Sequence, residues 1–232
     1  MLRVLRPKSG LYVVNESTKA TDAEVKAWTD ACAYQLTHQV APAYGRKPVK
    51  VAFLPKATHA PAGAWVLAVL DDPDQAGALG YHSVDDMGRV YGRVFVGVCL
   101  QYGVPVSTTL SHEIVETYCD PRVDMWRDSG KGFSIAYEAC DPVEGNSYKL
   151  GEVELSDFVY PAYYRQTASS AARLNYLDTL DEPFSLAPGG YYVRRTADGT
   201  EEQVFGARAN TEYIAAKHHQ LGRTGRRMAS FR

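Results

Sequence analysis

The sequence has little of what marks a disulfide scaffold, a membrane protein or a nucleic-acid-binding chain. Its four cysteines, Cys32, Cys99, Cys119 and Cys140, show no C-x-x-C spacing, and 232 residues can build a core without staples. Buried free thiols are therefore expected, with a thiolate ligand from Cys119 or Cys140 as the lesser alternative. A net charge of −2 gives no global attraction to nucleic acid or to a membrane surface. No stretch reaches the roughly 18 apolar residues that span a bilayer. The start, Met1-Leu2-Arg3-Val4-Leu5-Arg6-Pro7, lacks the apolar core and small-residue cleavage site of a signal peptide. The expectation is a soluble chain, not exported by a signal peptide and not transmembrane. Pro188-Gly189-Gly190 lacks the Lys-Ser/Thr of a phosphate-binding loop. Ser107, Thr108, Thr109 and Ser111 stand outside any G-x-S-x-G nucleophile motif. Internal repeats and low-complexity tracts are absent.

What is present is ordinary globular composition with readable periodicity. Leu11 to Asn15 reads as a strand, and Thr21-Asp22-Ala23-Glu24 is a capping box that opens a helix. Val25, Trp28, Cys32, Leu36 and Val40 recur at three- and four-residue steps, an apolar stripe fit to lie on a sheet, and the helix should end near Pro42. Strand-like runs follow over Val49 to Leu54, Ala64 to Leu70, Ala78 to His82 and Val90 to Leu100. A second helix then carries His112, with Ser107 or Thr108 as the expected cap and Pro121 as the stop. Beyond it, Phe133 to Tyr137 reads as a short strand and Asp141 to Asn146 as a turn. Phe158 to Tyr164 and Gly189 to Val193 read as strand or arm segments. The organisation expected is a domain over 1–150, a β-rich covering segment of the same domain over 151–208 and a basic C-terminal tail over 209–232.

Ser111-His112-Glu113-Ile114-Val115-Glu116 carries the chemistry. Positions four apart share a helix face, so His112 and Glu116 can bind one ion while Glu113, about 100° round the helix, meets a water on it. The usual zinc peptidase pattern is H-E-x-x-H, with the glutamate as general base. Here the second histidine is Glu116. Between His112 and Glu144 the chain holds Glu113, Glu116, Asp120, Asp124, Asp128, Glu138, Asp141 and Glu144 against only Arg122, Arg127 and Lys131. So dense a cluster repels itself unless it is solvated or holds a cation. His112 and Glu116 would ligate, with Asp120, Glu138 or Asp141 in third place and one position left for water. Glu113 would take the proton of that water and pass it to the leaving amine. Tyr137, Tyr160 and Tyr163 are candidates to support the oxyanion. A carboxylate in place of imidazole moves preference from zinc towards Mn²⁺, Mg²⁺ or Ca²⁺. The other histidines, His38, His59, His82, His218 and His219, have no ligand spacing to His112 and read as surface or structurally satisfied residues.

Leu110-Ser111-His112-Glu113-Ile114-Val115-Glu116 with Cys119-Asp120-Pro121, followed by Glu138-Ala139-Cys140-Asp141-Pro142-Val143-Glu144, resembles the H-E-x-x-E…D-P…E-x-x-D pattern of zincin-like peptidases of bacteria and of proteins encoded by tailed bacteriophages and prophages. The resemblance is specific over about 35 residues. It implies an α+β fold, a zincin-like mixed sheet with a backing helix and an HExxE active-site helix, plus the β-rich C-terminal elaboration. It further implies metal on His112, Glu116 and one of Glu138 or Asp141, zinc first among the candidate ions if the protein is active, with Glu113 as base. The function it implies is a virion-associated, metal-dependent peptidase acting on a peptide or protein substrate. The alternative is a virion structural protein of head or tail that keeps the fold without turnover. Other virion proteins are the expected partners, in the virion or the host cytoplasm. The tail, with Lys217, Arg223, Arg226, Arg227 and Arg232, offers a contact for nucleic acid.

Overall fold

A computed structural model describes residues 5–207 apart from 57, 76 and 170; the basic tail and the contact expected of it lie outside the described residues. The architecture is α+β, built on a mixed five-stranded sheet. Strands β1 (Leu11–Asn15), β2 (Val51–Leu54), β3 (Trp65–Leu70), β4 (Gly80–Val84) and β5 (Val90–Phe95) lie in the order β2-β1-β3-β5-β4. The first four in that order are parallel, and β4 runs antiparallel to β5 at the edge.

Parallel neighbours need a long crossover, and helix α1 (Asp22–Gln35) makes the one between β1 and β2. Its start is fixed by the capping box: Glu24 N–H donates to the Thr21 hydroxyl at 3.2 Å, and Thr21 N–H donates to the Glu24 carboxylate at 2.8 Å. The helix continues through a π-type turn (Leu36–Val40) into α2 (Ala41–Ala43) and ends just past Pro42, at Gly45 with φ 59°. Val25, Cys32, Leu36 and Val40 are buried, as the stripe requires, with Trp28 partly buried beside them.

The strand expected over Val90 to Leu100 stops at Phe95, and Val96–Tyr102 forms helix α3. A run of β-branched residues does not by itself distinguish strand from buried helix. The deciding contact is long-range: Gly97 N–H donates to the Asp71 carbonyl at 2.8 Å, and a Cβ at Gly97 would stand 2.7 Å from that oxygen. Gly103, at φ 66°, caps α3 in the left-handed region.

Helix α4 (Val106–Cys119) carries the motif and ends two residues before Pro121. The expected hydroxyl cap is corrected. Pro105 holds the cap position, while the Ser107 and Thr108 hydroxyls donate to the Glu154 carbonyl. All fourteen residues of α4 are buried. The sheet covers one side through β4 and β5, α1 a second, and the hairpin β8 (Ser147–Leu150) and β9 (Val153–Ser156) a third.

Strands β6 (Trp126–Asp128), β7 (Phe133–Ala136), β10 (Tyr191–Thr196) and β11 (Glu201–Phe205) form a second, antiparallel sheet in the order β11-β10-β7-β6. The segment after residue 150 thus supplies two strands to this sheet and one to the hairpin over α4. Phe158 to Tyr164 is not a strand. Val159 makes an isolated bridge to Asn175, and Pro161–Tyr164 is a 3-10 turn. Among the described residues no helix is long and apolar enough to cross a membrane.

Candidate metal centre

A wholly buried helix is ordinarily apolar all round. Helix α4 instead buries Ser107, Thr108, Thr109, Ser111, His112, Glu113, Glu116 and Thr117. Buried polar groups need partners. Ser111 Oγ donates to the Thr108 carbonyl at 3.0 Å and accepts the Ser156 N–H at 2.6 Å, stitching the helix to β9. Thr109 Oγ1 lies 3.4 Å from Cys99 Sγ on α3. The histidine and glutamates converge on one another.

His112 Nε2 lies 3.2 Å from Glu116 Oε2 and 3.2 Å from Asp141 Oδ1. These three residues form a buried group able to hold a metal ion. Donors bonded to one zinc at about 2.0–2.2 Å stand roughly 3.3–3.6 Å apart in a tetrahedron, close to the two separations from His112. The loop that brings Asp141 is fixed by the same carboxylate: Glu116 Oε1 accepts the N–H of Cys140 at 3.0 Å and of Asp141 at 3.3 Å. Glu116 therefore turns one oxygen to the loop and the other to His112.

Asp120 and Glu138 are buried nearby, but neither joins this group. The Asp120 carboxylate accepts the backbone N–H groups of Asp124 at 3.3 Å and Met125 at 2.8 Å, closing the turn after α4. Glu138 presents Oε2 4.0 Å from His82 Nε2. Tyr163 donates its hydroxyl to the Ser185 carbonyl, and Tyr137 lies under the Arg127 guanidinium at 4.1 Å. Tyr160 rests against Phe158. All four cysteines are free and buried, and burial pushes the Cys119 thiol up to about 12 and the Cys140 thiol well above its ordinary value. Neither belongs to a group able to hold a metal ion among the described residues.

The residue that sequence spacing misses is His82. It pairs with Gly92 across β4 and β5, on the sheet face that α4 covers. Its Nδ1 lies 3.3 Å from Glu113 Oε2 and 3.9 Å from Glu116 Oε2, and its Nε2 donates to the Asp120 carbonyl at 3.0 Å. His82 is thus a buried histidine with both ring nitrogens hydrogen-bonded, and only the surface half of its expected reading is corrected. No helical spacing relates residue 82 to 113; only the antiparallel edge strand does. Gly80 makes the approach possible, since a Cβ there would stand 2.9 Å from Thr109 Cγ2 and 3.2 Å from Glu113 Cγ.

Burial works against protonation of His82, but the hydrogen bond to Glu113 and the charges of Glu138, Glu113 and Glu116 outweigh it and raise the ring to about 9. For His112 burial again lowers the value, and the charges and hydrogen bonds of Glu116 and Asp141 raise it well above 6.5. Burial raises Glu116, with His112 opposing the shift. Two imidazoles and the carboxyl groups of Glu113, Glu116, Glu138 and Asp141 thus share one buried space. No family model matches the chain, and neither curated proteins nor solved structures show a match to it.

Proposed function

We propose that the protein is a zincin-like metal-dependent peptidase whose ion is held by His112, Glu116 and Asp141. The observation that carries this reading is the convergence of three side chains inside a buried helix–loop junction, with His112 Nε2 3.2 Å from each of Glu116 Oε2 and Asp141 Oδ1 and all three ligand atoms within 4.8 Å of one another. The mixed sheet, the backing helix α1 and the antiparallel edge strand beside α4 support it as the expected surroundings of such a helix.

A divalent ion in this position supplies Lewis acidity and a water acidic enough to ionise near neutral pH. The chain's own contribution is to place and neutralise charge. Asp141 and Glu116 stand 3.2 Å from His112 Nε2 and would hold the ion together with it. The Cys140 and Asp141 N–H groups hold Glu116 through its other oxygen, so that the ligands keep their geometry. Glu113, one residue from His112 and buried against β4, accepts the proton at Oε2 and returns it to the leaving amine. Of the imidazole and carboxylate ligands, two carry negative charge, so zinc and the harder Mn²⁺ compete for the site.

Cleavage of an unfolded protein substrate by zinc-loaded protein tests the reading. Activity lost on chelation, restored by zinc or Mn²⁺, and abolished in Glu113→Gln while the ion at His112 is retained is the expected result. A metal-loaded protein that cleaves no substrate, with Glu113→Gln indistinguishable from wild type, contradicts it.

A further inference from the structure

His82, Glu113 and Glu116 form a second buried group able to hold a metal ion, and it shares Glu116 with the first. Their side chains are only 3, 7 and 5% exposed, so they are neither a solvated acidic surface nor a loop cluster. The same atom, Glu116 Oε2, faces both imidazoles, at 3.2 Å from His112 Nε2 and 3.9 Å from His82 Nδ1. The second oxygen is already committed to the Cys140 and Asp141 N–H groups.

The orientation of His82 is informative. A backbone carbonyl only accepts, so the Nε2 beside the Asp120 carbonyl carries the hydrogen. In the protonated ring Nδ1–H donates to Glu113 Oε2 at 3.3 Å, and in the neutral ring the Nδ1 lone pair faces the Glu113 and Glu116 carboxylates, where a divalent cation can take the place of that proton. A histidine that gives one ring N–H to a backbone carbonyl and turns the other nitrogen towards carboxylates has the arrangement of a metal ligand with its outer partner. A cation shared by Nδ1 and these two carboxylates would offset their charge as the imidazolium proton does in its absence.

We propose that the site takes two divalent cations, the second bound by His82 Nδ1, Glu113 and Glu116, with Glu116 Oε2 as the single-oxygen bridge between them. Ions sharing one bridging oxygen lie about 3.5–4 Å apart. The second position draws on Glu113, so filling it takes away the proton acceptor of the peptidase reading. Ion at the first position permits turnover, and ion at both suppresses it. This consequence rests on the proposed activity, whereas the two-ion stoichiometry does not.

The test is zinc titration of the full-length chain, stripped of metal, by calorimetry and by metal analysis after gel filtration. The expected result is two zinc ions per chain, the second weaker by tenfold or more, with His82→Asn and Glu113→Gln each reducing the count to one. One ion per wild-type chain at saturation overturns the second site and leaves the first intact. Two ions in both variants also overturn it, because the second ion would then sit elsewhere. No ion at all defeats the first site and the second together. If the variants fail to fold, X-ray absorption on zinc-saturated wild type decides: a metal–metal distance near 3.5–4 Å supports the pair, and an isolated zinc overturns it.

Discussion

Glu116 Oε1 accepts the backbone N–H of Cys140 at 3.0 Å, joining the last turn of the motif helix to a loop 24 residues away. The same side chain is thus both a candidate ligand and the clamp that brings Asp141 to His112. Glu116→Gln keeps the shape and an acceptor oxygen but removes the charge. Zinc affinity should fall by at least a hundredfold while the protein still folds, which calorimetry and circular dichroism would separate. An unchanged zinc affinity in a folded Glu116→Gln protein would remove this residue from the centre.

Gly80 allows β4 to lie against α4 with almost no clearance. Gly80→Ala would drive a methyl group to about 2.9 Å from Thr109 Cγ2, and overpacking of this kind typically costs about 1–3 kcal/mol. Urea denaturation should show that loss. Zinc bound at His112 should be less affected than zinc bound at His82, because Gly80 and His82 share a strand.

Ser111 Oγ takes the Ser156 N–H at 2.6 Å in a fully buried position. Ser111→Ala leaves that amide without its acceptor, a loss of about 1–3 kcal/mol. Thr21→Ala removes the α1 cap and should cost about 1 kcal/mol, the usual size for such a residue. Both changes are expected to lower the denaturation midpoint and to leave zinc stoichiometry unaltered.

The pH dependence of the metal-free protein follows from the raised histidines. His82 and His112 have folded-state values above the unfolded 6.5, so their stabilisation is complete below about 6.5 and is lost as pH rises, through about 9 for His82. Glu116, also raised, acts in the same direction. In EDTA the melting temperature should fall between pH 6.5 and 9. With saturating zinc the fall should shrink or reverse, because zinc needs the deprotonated ring. Differential scanning fluorimetry across that range checks it, and a melting temperature that rises with pH in EDTA would contradict the assigned shifts.

Local signals carried much of the architecture. The Thr21–Glu24 box, the stripe from Val25 to Val40 and the proline after Asp120 mark both main helices because caps and periodicity act within a few residues. The pairing of His112 with Glu116 was legible for the same reason. Features set by the packing of distant segments were not. The turn of Val96 to Leu100 into helix depends on Asp71, and the hydroxyls of Ser107 and Thr108 were diverted from capping by the Glu154 carbonyl. Asp120, Glu138 and Asp141 are equivalent by composition, and backbone amides of the 124–125 turn single out Asp120 for a different task. His82 was hidden most completely, since thirty residues of strand, turn and helix separate it from its partner. A histidine on the strand that precedes the motif region, two residues after a glycine, was the faint signal available.

The account stands on His112, Glu116 and Asp141 gathering around one cation. Anomalous diffraction from crystals of the full-length protein grown with saturating zinc tests this most directly. The predicted result is a zinc peak about 2.0–2.2 Å from His112 Nε2 and from a carboxylate oxygen of both Glu116 and Asp141. Zinc-saturated crystals with no anomalous peak among these three side chains would contradict it.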